Sequence, residues 1–121
     1  MKFWRVKRGN TSVQDVPIYD KDGVTLVQNL ASATSIKFQV KEGKTDATPK
    51  IAKTETDGIE VDTPSTGYLR ITLKPTDTAI TIAEYYMALQ VIWTADEVYE
   101  VNIEIDNEET DRFKVEQDVI Q

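Results

Sequence analysis

The sequence predicts an all-β fold, and three observations carry that prediction. Apolar residues return at every second position in several runs, turn-forming residues separate the runs, and a single short segment has any helical character. The first run is KFWRVK, residues 2–7. As a strand it places Trp4 and Val6 on one face and Phe3, Arg5 and Lys7 on the other. The apolar pair is expected in the core. The next run alternates Ile36, Phe38 and Val40 with Ser35, Lys37, Gln39 and Lys41, the pattern of a half-buried strand. Residues 59–61 form a short strand, and Leu69, Ile71 and Leu73 alternate with Arg70, Thr72 and Lys74. Met87, Leu89, Val91 and Trp93 oppose Tyr86, Ala88, Gln90 and Ile92, and both sets are apolar enough for a central strand. Tyr99, Val101, Ile103 and Ile105 alternate with Glu100, Asn102 and Glu104. Among the aromatics, Trp93, Phe38, Tyr86 and Phe113 are expected in the core.

Between the runs lies turn chemistry. DKDG at 20–23 and TDG at 56–58 supply Asp and Gly where tight turns want them. TPSTG at 63–67 separates two strands, and TADE at 94–97 closes a hairpin. KEGKTDATPK, 41–50, reads as an exposed, mobile loop. PTDTAITIAEYY, 75–86, opens like a helix, but β-branched Thr78, Ile80, Thr81 and Ile82 limit it to one turn. Seven to nine short strands, with no repeat and no linker, fit a single antiparallel β-sandwich domain over 1–121, immunoglobulin-like in kind. The Cys…Trp…Cys signature of antibody domains is absent.

Composition narrows the chemistry. The chain has 121 residues, enough to bury a core without staples, and no cysteine or histidine. The commonest general base and the commonest metal ligand are therefore both missing. Ser12, Ser32, Ser35 and Ser65 have no histidine to activate them. A Ser–Lys pair or paired carboxylates stay open, because no motif singles one out, and no glycine-rich phosphate loop occurs. The expectation is a protein that is not an enzyme and uses no cofactor. Met1 reads as the native start of a complete small protein. The basic N-terminus lacks the ~7–15 apolar residues of a secretory signal, and no segment approaches the ~20 that span a bilayer.

The net charge of −7 is unevenly spread. Residues 1–60 carry ten basic and eight acidic side chains, whereas residues 61–121 carry four and thirteen. Such a chain is a poor general ligand for nucleic acid, whose binding rests on phosphate neutralisation. The lopsidedness suits head-to-tail contact with protein neighbours. The run at 95–111 holds eight carboxylates and no basic residue. It reads as a calcium site or as a solvated strand face joined to a polar turn. The second reading is preferred, because alternate residues of a strand stand ~7 Å apart, too wide for one cage. Asp106-Asn107-Glu108-Glu109 is the more compact candidate, and no metal ligand is assigned. DKDG lacks the glutamate that completes an EF-hand loop and reads as a hairpin turn. The face made by Phe3, Arg5 and Lys7 is the candidate protein contact, with protection of an edge strand as its plainer explanation.

Several features in order carry a resemblance: RGNT, VPIYDKDG, LASATSIKFQV, TGYLRITL, AEYYMALQV and the closing DRFKVEQDVI. Over about residues 2–120 the chain resembles the N-terminal domain family of the phage baseplate upper protein and related small β-sandwich proteins of tailed-phage virions. That resemblance implies a non-enzymatic assembly block in a baseplate, tail, neck or capsid surface. It also implies other virion proteins as partners, multiple copies in a symmetric assembly, and location in the virion, by way of the host cytoplasm. In the larger members a helical linker and a fibre anchor follow the domain, whereas here the sequence ends at Gln121. The alternative is a module that binds a host receptor or glycan.

Overall fold

The computed structural model describes residues 2–118, and strands dominate it. They are β1 (Trp4–Lys7), β2 (Ser12–Pro17), β3 (Ser35–Lys41), β4 (Ile51–Thr54), β5 (Ile59–Val61), β6 (Tyr68–Leu73) and β7 (Ala83–Thr94), then β8 (Glu97–Val101), β9 (Glu104–Ile105), β10 (Glu108–Glu109) and β11 (Arg112–Glu116). The one-turn helix α1 (Pro75–Thr78) lies between β6 and β7, where a single turn is expected.

The large sheet has the order β1-β11-β7-β3-β4, with β8 also paired to β7; the small sheet is β2-β6-β5. Strand β7 is central, as its two apolar faces predict. One edge meets β3 from Tyr86 to Ile92, and the other is shared by β11 and then β8. Alternate residues of both sheets enter one shared core that includes Trp4, Val6, Phe38, Val40, Leu69, Ile71, Leu89 and Phe113. Trp4 packs on Phe38 and Phe113, each with ring centres 5.4 Å away, and its indole N–H donates to Ser12 Oγ at 2.9 Å. That bond ties the large sheet to the start of β2.

Three expectations need correction. The sheets are not wholly antiparallel, because β1 runs parallel to β11, with Trp4 opposite Phe113 and Val6 opposite Val115. The first and last strands thereby lie side by side, a pairing that local pattern does not specify. The strands number eleven rather than seven to nine. The surplus arises because the alternating run 99–105 breaks at Asn102 and Ile103, and a two-residue turn at Asp106 and Asn107 (φ 52° and 66°) folds β9 onto β10. Tyr86 is half-buried on the outer face, while its neighbour Tyr85 fills the core, 1% exposed. The parity that sends Met87 inward sends Tyr85 with it. Finally, part of the closing motif, Val119 and Ile120, lies outside the described residues.

Candidate functional site

The sequence-predicted contact is built as the alternation requires. Trp4 and Val6 are buried, and Arg5 and Lys7 are exposed on β1, at an edge of the large sheet. Neither cation is free. Arg5 Nη1 donates to Glu116 Oε2 at 2.7 Å, and Lys7 Nζ lies 3.6 Å from the other oxygen. Partial burial works against the charge of Glu116. The Arg5 hydrogen bond and the charges of Lys7, Arg5 and Lys114 outweigh it and hold the pKa below the ordinary carboxylate value. Phe3 is half-buried beneath cations, with Arg5, Arg112 and Lys114 at 5.4, 5.5 and 6.0 Å from its ring centre. Strand register brings Arg112, Tyr86 and Lys41 into one row across the sheet, and the Arg112 guanidinium, beside Phe3, lies 4.7 Å from the Tyr86 ring centre as well. Arg112 Nη2 donates to Glu84 at 3.1 Å, while its buried Nε has no hydrogen-bond partner among the described residues.

The basic surface is much wider than β1. On the outer face of the large sheet, β1, β3 and β11 carry Arg5, Lys7, Lys37, Lys41, Arg112 and Lys114 against Glu84, Glu100 and Glu116. Six cations less three anions gives +3, in a chain whose total is −7. The outer face of the small sheet is close to neutral. There Arg70 stands between Asp15 and Glu60 in register and donates to Asp15 Oδ1 at 2.8 Å.

At the middle of the basic face lies an open groove of about 590 Å³. Its floor is Ala88, with Gln39 and Gln90 beside it; Lys37 stands at one end, and Lys41 and Tyr86 at the other. Lys44 reaches over from its loop to Asp111 at 3.2 Å. Lys37 and Lys41 make no salt bridge among the described residues. Lys44 and Arg112 both stand over the Tyr86 ring, which is therefore not a bare platform for stacking a sugar. Sequence reasoning passed over Lys37, Lys41, Arg112 and Lys114. Their shared parity within β3 and β11 was readable, but the register that joins the two strands through β7 was not.

The acidic run is split among several places. Glu100 lies on the outer face, Asp111 pairs with Lys44, and Asp106 pairs with Lys2 at 3.7 Å. Among the described residues no group of three or more His, Cys, Asp or Glu side chains is placed to hold a metal ion. DKDG makes a tight turn in which the Asp22 carboxylate accepts from the amides of Val24 and Thr25 and from the Thr25 hydroxyl. Among the described residues no helix is long and apolar enough to cross a membrane. Comparison of the chain with family models, curated proteins and solved structures finds no match.

Proposed function

We propose that this chain is a non-enzymatic structural protein of a tailed-phage virion, a baseplate, tail, neck or capsid-surface block that works through protein–protein contacts in multiple copies. The observation that carries the reading is the separation of charge, +3 on the outer face of the large sheet in a chain of −7. A basic face on an acidic chain orients neighbours and fixes register between them. The motif order described above supplies the virion setting.

Two features support an immunoglobulin-like reading of the fold. With β1–β7 and β11 taken as A, B, C, C′, D, E, F and G, the small sheet is B-E-D and the large one includes G-F-C-C′. Strand β1 departs from the constant-type layout by lying against the last strand. In addition, Tyr85, near the start of β7, donates its hydroxyl to the carbonyl of Thr81 four residues upstream. That is the arrangement of a tyrosine corner, with Met87 at the position that a core cysteine takes in antibody domains. Mass spectrometry of purified particles tests the functional reading. The chain is expected among the virion proteins, and its absence from virions overturns the proposal.

A further inference from the structure

We propose that the groove around Ala88 receives the acidic β9–β10 hairpin of a second copy of this chain. The inference rests on the assembly reading and names its partner. Lys37 and Lys41 flank the groove without an ion-pair partner among the described residues, and Gln39 and Gln90 offer amides between them; of the two carboxylates that also line it, Asp111 is taken up by Lys44, and Glu100 lies on β8, across Gln90 from Lys37. The complementary group is on the same chain. Glu108 and Glu109 are exposed at the end of the hairpin, and no salt bridge compensates either among the described residues.

The hairpin is a preformed knob. Ile103 and Ile105 are buried at its base, and the turn is closed by two residues with left-handed φ, the geometry of the tightest hairpins. The preformed backbone loses little freedom on docking, and only the two glutamate side chains, which project to opposite faces of β10, have to be ordered against the lysines. An outside acidic protein would satisfy the same lysines. The second copy is favoured because the matching anion cluster stands on this chain, ordered and uncompensated.

Salt gives the contact a signature. Two copies at −7 each repel one another at long range, so steering does not help encounter. The attraction is local and is screened once the Debye length falls to ~3 Å, near 1 M salt.

Sedimentation velocity of the full chain at 0.15 M and 1 M salt tests the proposal. The expected result is concentration-dependent self-association that weakens at least ~10-fold at the higher salt. Lys37→Glu with Lys41→Glu, and separately Glu108→Lys with Glu109→Lys, should each reduce association by a similar factor, and mixing the two variants should restore it as a hetero-complex. Lys37, Glu108 and Glu109 are exposed and Lys41 is half-buried, and thermal melting checks that the variants fold. A chain that stays monomeric at high concentration, association indifferent to salt, or a mixture no tighter than its components overturns the inference. Loss of self-association with the chain still present in virions refutes this contact alone, and absence from virions refutes the assembly reading.

Discussion

The buried cation Lys53 is the feature whose removal or exposure the fold should feel most unequally. Its side chain points inward from β4 and is 3% exposed, with Nζ 2.7 Å from Asp77 and 3.6 Å from Asp57. Its stem is held close under the turn after β4. A Cβ on Gly58, at φ +92°, would stand 2.8 Å from Lys53 Cδ. A desolvated ammonium left without its partner is costly, whereas a buried ion pair replaced by apolar atoms often is not. Asp77 also accepts the Lys74 N–H at 2.8 Å, closing the first turn of α1. Asp77→Ala removes both interactions. The buried-pair penalty is at the low end of its range, because Asp77 is 21% exposed and Asp57 remains nearby. With a cap contribution of about 1 kcal/mol added to a pair penalty of about 3 kcal/mol, the total loss is about 4 kcal/mol. Lys53→Met removes the charge and leaves the cap, so its cost should be within about 1 kcal/mol of zero. The double variant should therefore be more stable than Asp77→Ala alone. Urea denaturation with unchanged m-values provides the measurement. If Asp77→Ala costs less than about 1 kcal/mol and Lys53→Met brings no rescue, the ammonium reaches water by itself and the reasoning fails.

Trp4→Ala should destabilise by about 3–5 kcal/mol in the same assay, because it empties a site closed by Phe38 and Phe113; a loss below about 1 kcal/mol would mean that β1 does not anchor the core. Arg5→Glu with Lys7→Glu should lower the melting temperature slightly, since it sets two carboxylates beside Glu116, and Glu116→Lys should restore the loss. The bond from the Thr25 hydroxyl, followed by the backbone bonds from Thr25 and Val24, lowers the Asp22 pKa from 3.8 to about 2. A depressed folded-state value means that this carboxylate's stabilising contribution is complete above 3.8 and is lost as pH falls through about 2. A carbon-13 titration with its midpoint near 4 would refute the hydrogen-bonded turn.

What could be read from the sequence was whatever depends on period two and on turn chemistry. Trp4 and Val6 point inward, β7 is central, α1 is one turn long, and DKDG, TDG and TADE turn the chain where Asp and Gly permit it. Relations between distant segments were not legible. The parallel pairing of β1 with β11 joins residues 109 positions apart, from Trp4 to Phe113, and no local signal encodes it. Tyr86 was misassigned for a related reason. Two adjacent tyrosines are equally apolar as letters, and the neighbouring strands decide which enters the core. Lys53 was missed because a lysine on an inward position looks like a break in alternation until Asp77, 24 residues on, is known to meet it.

The same register explains why the basic face has two kinds of cation. At the sheet edge, Arg5 and Lys7 repel stray strands and are neutralised by Glu116, and protection of the edge is a sufficient account of both. Strand β3 is not an edge; it lies between β7 and β4. Lys37 and Lys41 stand opposite Gln90 and Tyr86 of β7, and Lys37 stands opposite Thr54 of β4. None of these neighbours carries a negative charge. Edge protection therefore cannot account for the two lysines, and among the described residues no ion pair uses them. Polar residues without charge would solvate the face equally well and would avoid repulsion between cations on one strand. Uncompensated charge in the interior of a sheet face is available to an anion from outside the fold, and this is why the proposed contact is built on β3.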